Sequence, residues 1–155
     1  GSDVINGGGG FDTVRAIGLD RFQGSPANDR FDATANGTRV SLTSQSGSAD
    51  IGGVEVLDIR PGVGDDTVVI GDLSSVTSLR GVFVDGGDGS DRIDASAQVD
   101  PSIVLVANGG AGDDTLIAGA GLNVFIGGAG SDFFNKAGQP VVWIVDQEPG
   151  DVVIA

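Results

Sequence analysis

The chain has 155 residues and a formal net charge of −14, with 22 acidic residues against 8 Lys and Arg. That length suits a single domain over 1–155, and the scattered basic residues make nucleic acid and an anionic membrane poor partners. Cysteine and histidine are absent, which excludes disulfides, thiolate metal sites and the commonest general base. The acid is almost all aspartate, with only Glu55 and Glu148 as exceptions. Short carboxylates suit a cation reached from a tight turn. No stretch approaches the ~20 apolar residues of a membrane span, so no membrane insertion is expected. The chain opens inside a repeat, without a signal peptide, and reads as a piece of a longer protein with neighbouring domains.

In chain order, GSDVIN with Asp3 leads into GGGGFDTVR, which carries Gly7 and Asp12. GSPANDRFD follows with Asp29, then TRVSLT, then SGSADIG with Asp50. VEVLDI precedes PGVGDDTVV, which carries Asp66, and GGDGSDRID carries Gly87, Gly89 and Asp91. After SIVLVA come three nonapeptides in unbroken tandem: GGAGDDTLI at 109–117, AGAGLNVFI at 118–126 and GGAGSDFFN at 127–135. VVWIV and EPGDVVI, with Asp151, end the chain. The apolar segments are β-branched and bounded by Gly, Pro, Asn or Asp, so they read as strands. No i, i+3, i+4 apolar run exceeds one turn, so helix is not expected.

Phasing the chain on aspartate gives Asp12, Asp29, Asp50, Asp66, Asp91, Asp114, Asp132 and Asp151, at intervals of 16 to 25 residues. An interval near 20 fits one solenoid coil of two strands and two turns. Two residues beyond the aspartate stands an apolar side chain in nearly every case: Val14, Phe31, Val68, Ile93, Leu116, Phe134 and Val153. Strand side chains alternate faces, so this position builds one inward ladder. Ile5, Val40, Leu42, Val56, Leu105, Phe125 and Trp143 are candidates for a second ladder. Segments 70–85 and 95–107 are insertions between aspartates. The predicted fold is all-β: a right-handed parallel β-helix or β-roll of about seven to eight coils of roughly 20 residues.

Stacked coils bring successive aspartates within about 5 Å. Unneutralised, they repel. Ca²⁺ takes six to eight oxygens at about 2.3–2.6 Å, which two glycine turns and two carboxylates can supply. Mg²⁺ fits less well because it demands octahedral geometry and keeps its waters. The candidate ligands are Asp12, Asp29, Asp66, Asp91, Asp114 and Asp132, with turn glycines Gly7, Gly87, Gly89, Gly110, Gly112, Gly128 and Gly130. Asp114 with Asp132 is the best pair and Asp12 with Asp29 the second. Asp3, Asp50, Asn123 and Asp151 are weaker candidates. Asn123 lies on the opposite side and offers an uncharged amide oxygen. The alternative is a metal-free solenoid in which each aspartate caps its own turn, and this is the favoured reading at Asp50 and Asp151. Asp65 and Asp113 read as solvent-exposed, and Trp143 as core packing.

GGAGDDTLI and GGAGSDFFN resemble the repeats-in-toxin family of haemolysin-type calcium-binding nonapeptides at every position. GGGGFDTVR and GGDGSDRID are nearly as similar. The resemblance implies a parallel β-roll with calcium between turns, folding after secretion, and an extracellular or cell-surface bacterial protein. The stretch VEVLDI…GDDTVVIGDLSS is similar to longer-coiled repeats of large surface proteins, which implies a wider or mixed β-helix.

The expected function is a calcium-dependent structural module. An alternative is a polysaccharide-binding or adhesive module beside a polysaccharide-modifying enzyme, tracking a polymer along a flat strand face. Catalysis is not expected: acid pairs can hydrolyse glycosides, but here the acids are committed to turns.

Overall fold

The computed structural model describes residues 2–17, 28–45, 47–139 and 142–155. Every regular element among them is a strand, and no helix is present among the described residues. The strands fall into two sheets, A and B, which stay separate rather than closing into a barrel.

The first coil is β1 (Ser2–Asn6) in sheet A and β2 (Thr13–Ile17) in sheet B. Three strands of sheet A follow: β3 (Arg30–Asn36), β4 (Arg39–Ser44) and β5 (Gly47–Gly52). From there the chain alternates. β6 (Val56–Arg60) and the short β7 (Gly62–Val63) belong to sheet B, and β8 (Thr67–Ile70) to sheet A. β9 (Gly81–Asp88), β11 (Val104–Ala111), β13 (Asn123–Ala129) and β15 (Val142–Ile144) continue sheet B. β10 (Arg92–Asp94), β12 (Thr115–Ile117), β14 (Phe133–Asn135) and β16 (Val152–Ile154) continue sheet A. Each strand from β8 onward pairs in parallel with the equivalent strand of the next coil. This is the β-roll arrangement expected from the repeats.

One part departs from a parallel solenoid. β4 runs antiparallel to both β3 and β5. Segment 30–52 is therefore a meander within sheet A, not a stacked coil. A hairpin explains it. Asn36 faces Arg39 across the loop, and Gly37 takes a φ of 63°, a conformation that favours glycine. β1 then pairs with β5, and β3 with β8. Two extra strands enter sheet A where sheet B has none, since β6 pairs directly with β9.

Among the described residues the buried apolar side chains, Ile117 apart, form one cluster. The ladder of sheet A is in register from end to end: Phe31, Val68, Ile93, Leu116, Phe134 and Val153 are successive partners. Val14 instead pairs with Leu57 in sheet B. In sheet B, Leu57, Val82 and Leu105 are successive inward partners, and Ala107 pairs with Phe125 one step along. The rings of Phe125 and Phe134 stack across the core with centroids 6.2 Å apart. Leu116 and Phe134 are each fully buried, and truncating such a side chain costs about 2–5 kcal/mol. Val40 and Leu42 are buried as expected, but in β4 of sheet A. Trp143 is not core. It is 64% exposed, because Ile144 pairs with Phe125 and takes the inward position. The insertion after β8 buries Leu73, Val76 and Leu79, and so plugs the edge of the roll where sheet A hands over to sheet B.

Candidate metal centre

The glycine turns that lead from sheet B to sheet A lie one above another. The backbone N–H of Asp29 donates to Oδ1 of Asp66 at 2.6 Å. Asp66 donates in the same way to Asp91 and Asp91 to Asp114, each at 2.7 Å. Asp114 donates to Asp132 and Asp132 to Asp151, each at 2.9 Å. Six aspartates thus form one column, and each of the five after Asp29 holds the amide of the aspartate before it. Parallel pairing fixes this alignment, because Thr67, Arg92, Thr115, Phe133 and Val152 follow their aspartates in register.

The second carboxylate oxygen behaves differently. Oδ2 of Asp91, Asp114 and Asp132 is buried and has no hydrogen-bond partner among the described residues. Such an atom is costly unless something satisfies it. Its surroundings show what could. A methyl group at Gly109 would lie 2.2 Å from Oδ2 of Asp114 and 2.7 Å from the carbonyl oxygen of Gly127. At Gly86 the corresponding distances are 2.2 Å to Oδ2 of Asp91 and 2.5 Å to the carbonyl of Gly109. A carboxylate oxygen of one coil and a carbonyl oxygen of the next therefore crowd the same glycine. Oxygens gathered in this way are the ligand type a hard cation takes. Among the described residues no group of three or more acidic side chains is placed to hold a metal ion by itself, so a cation here would need backbone carbonyls beside the carboxylates.

The later glycines of each turn allow the close approach. A Cβ at Gly110 would meet the carbonyl oxygen of Gly87 at 2.0 Å, and one at Gly112 would meet that of Gly89 at 2.2 Å. Gly128 and Gly130 abut the carbonyls of Gly110 and Gly112 in the same way, at 1.9 and 2.0 Å. Gly87 and Gly89 abut those of Gly62 and Gly64. Gly62, Gly64 and Gly86 are participants that the sequence reading left out, although Gly62 and Gly64 stand in its PGVGDDTVV motif.

Burial is the main force on these acids. It pushes the Asp114 carboxyl up to about 7, and Asp91, Asp132 and Asp113 nearby add to the rise. It pushes Asp91 up to about 6, against the hydrogen bond from the Asp66 amide. Asp132 is also raised, first by burial and then by Asp151, Asp113 and Asp146.

The other candidates are placed as follows. Asp12 is not paired with Asp29. It leads into sheet B, on the opposite edge, where its amide donates to Oε2 of Glu55 at 2.7 Å. Its own Oδ2 accepts the Gly8 amide at 2.8 Å, and Gly7 packs against the carbonyl of Gly53. Glu55 stands where the column would have an aspartate; its longer side chain hid it from a motif that demands Asp. Asp50 is outside the column, because it lies in the meander and pairs with Arg39 at 2.8 Å. Asn123 is on the opposite edge as expected, but its amide closes its own turn. Its Oδ1 accepts from Gly119, and its Nδ2 donates to the carbonyls of Gly119 and Gly121. Asp151 ends the column with both oxygens engaged, Oδ1 by Asp132 and Oδ2 by the Glu148 amide. Asp3 lies in β1 in register with Ala49, and its side chain is outside the described residues. Exposed Asp65 and Asp113 accept the amides of Ser90 and Ser131 at 2.9 Å.

The RTX calcium-binding nonapeptide repeat model matches in four copies, over residues 1–16, 83–100 and 106–135. Those stretches include Asp12, Asp91, Asp114 and Asp132. No curated protein and no solved structure gives a significant match. The turns that build the column from Asp91 to Asp132 are therefore RTX calcium-binding nonapeptide repeats, and the chain carries that family's repeat module.

Proposed function

We propose that this chain is a structural module of a secreted or cell-surface bacterial protein, whose fold is completed by calcium held between successive glycine turns. The observation that carries the reading is the buried, unpartnered Oδ2 of Asp91, Asp114 and Asp132. The Oδ2 atoms of Asp91 and Asp114 each lie beside a glycine that a carbonyl oxygen of the next coil also approaches. The residues that would hold the metal are these three aspartates with the carbonyl groups of the turns at 86–91, 109–114 and 127–132. Bound calcium supplies positive charge and oxygen coordination, and so neutralises carboxylates that would otherwise repel.

Folding then depends on where the protein is. A calcium-poor interior leaves the stacked acids uncompensated, and a net charge of −14 opposes compaction. A calcium-rich exterior removes both obstacles. The winding follows the right-handed rule for parallel crossovers. In this reading the acids bind and support, and none acts as a catalyst.

The test is far-UV circular dichroism during a calcium titration, repeated with magnesium. A gain of strand signal with calcium alone is expected. A chain already fully β-structured in chelator at neutral pH, unchanged by calcium, would contradict the reading.

A further inference from the structure

The outer faces of the two sheets differ in character. Sheet A is mostly polar outside through its middle, with ion pairs Arg30–Asp32 and Arg92–Asp94 and threonines at 67 and 115, and its exposed Val4, Val152 and Ile154 stand on its end strands β1 and β16. Sheet B carries apolar side chains outside through its middle. Its outward row runs Arg15, Asp58, Phe83, Val106, Val124 and Trp143, each the register partner of the next. A second outward row takes Asp85, Asn108 and Ile126. Phe83 is 42% exposed, Trp143 64% and Val145 65%. Strands apolar on both faces belong to sheets covered on both sides, and an exposed apolar patch of this kind marks an interaction surface.

We propose that this face binds the same face of a second copy of the chain, with the strand order reversed. The outward row is self-complementary in that arrangement. Reversal sets the Arg15 guanidinium of one copy on the Trp143 indole of the other, a cation–π contact. It sets Phe83 against Val106, and Asp85 against Asn108. Unreversed stacking would instead set Arg15 on Arg15. Asp58 tolerates the apolar Val124 opposite it, because it is already buried between Arg15 at 2.6 Å and Arg60 at 3.0 Å. The column acids lie along the edge of the roll rather than on this face, so they do not oppose each other across it.

Size sets the strength. Six strands of about five residues present roughly 480 Å² per copy, or about 950 Å² in the pair. That is near the lower bound for a specific interface, so the dimer is a weak, reversible one. Sedimentation of the calcium-loaded chain from 10 µM to 1 mM reads it, with circular dichroism to establish folding. The expected result is a reversible monomer–dimer equilibrium. Val106→Lys in the middle of the face should weaken it at least tenfold, and Arg15→Ala several-fold with a change in Trp143 emission. Ile154→Lys on the terminal strand of sheet A should leave it unchanged. A folded chain that stays monomeric at 1 mM overturns the proposal and gives the face to another occupant. So does association that survives Val106→Lys but not Ile154→Lys, which places the contact at the open end of the roll.

Discussion

Asp132 turns Oδ1 to the amide of Asp114, 2.9 Å away, and buries Oδ2 with no partner. One oxygen thus fastens the preceding coil while the other has no protein partner. The same division holds at Asp91 and Asp114. A metal-free cap, by contrast, engages both oxygens, as Asp151 does. The comparison separates turns with an unpartnered carboxylate oxygen from a turn in which both oxygens are engaged.

Removing a carboxylate from the column should therefore cost both binding and stacking. Asp114→Ala is expected to raise the calcium midpoint about tenfold or more, since a charge-assisted hydrogen bond alone contributes about 1.5–3 kcal/mol and about 1.4 kcal/mol is a factor of ten. Asp132→Ala should behave alike. Asp88→Ala, at an exposed position, should change little. Isothermal titration of the three variants checks this, and equal effects would count against the column.

The glycine stack gives a test that leaves every carboxylate in place. Gly110 has a φ of 113°, and a Cβ there would stand 2.0 Å from the Gly87 carbonyl oxygen. Gly110→Ala should cost at least about 2–3 kcal/mol from backbone strain and forced separation of the coils. Gly9 has nothing within 4 Å of a Cβ, so Gly9→Ala should be neutral or stabilising by up to about 1 kcal/mol. Urea unfolding in saturating calcium compares them. Similar losses at both positions would remove the close-approach argument.

Acidity should act in opposite directions with and without metal. Asp91 and Asp114 carry carboxyls raised to about 6 and about 7. The metal-free fold therefore binds protons that the unfolded chain has released. Its extra stability is fully present below the ordinary carboxylate range and is lost as pH rises through about 6 to 7. In chelator, strand signal should increase as pH falls from 8 to 5. In calcium, protons compete for the same oxygens, so the calcium midpoint should rise over that range. Circular dichroism at stepped pH measures both, and a parallel trend in the two series would refute the assignment.

Much of this was legible from one rule, an apolar residue two places past each aspartate. Phe31, Val68, Ile93, Leu116, Phe134 and Val153 obey it, and the structure sets them side by side. The rule failed where the chain covered two coil lengths without making a coil. Asp29 and Asp66 are neighbours in the column although 37 residues apart. Asp50 falls near the middle of that gap and so resembled a rung. The hairpin signal Asn36–Gly37 marked the meander, but the coil period overrode it. The rule also says nothing of edges: GGGGFDTVR has the full pattern, yet the strand after Asp12 pairs in sheet B. Trp143 was misplaced because the nonapeptide phase of 118–135 does not carry through to β15, where Ile144 rather than Trp143 pairs with Phe125.

Arg39 offers a separate check on the first coil. Its guanidinium reaches Asp50 in β5 at 2.8 Å, and Asn6 Oδ1 and the Ile5 carbonyl in β1 at 2.7 and 3.1 Å. Arg39→Ala should cost about 1–3 kcal/mol by stranding Asp50. Asp50→Ala in that background should restore part of it. Thermal unfolding of the double-mutant cycle reads the coupling, and strict additivity would show that Arg39 does not clamp the coil.

The central claim is met most directly by a crystal structure in excess calcium, with anomalous scattering recorded at long wavelength. The account predicts anomalous peaks between the turns at 86–91, 109–114 and 127–132, each about 2.3–2.6 Å from an aspartate oxygen and from glycine carbonyls. Peaks confined to the exposed acids, with Oδ2 of Asp114 bonded only to protein or water, would contradict it.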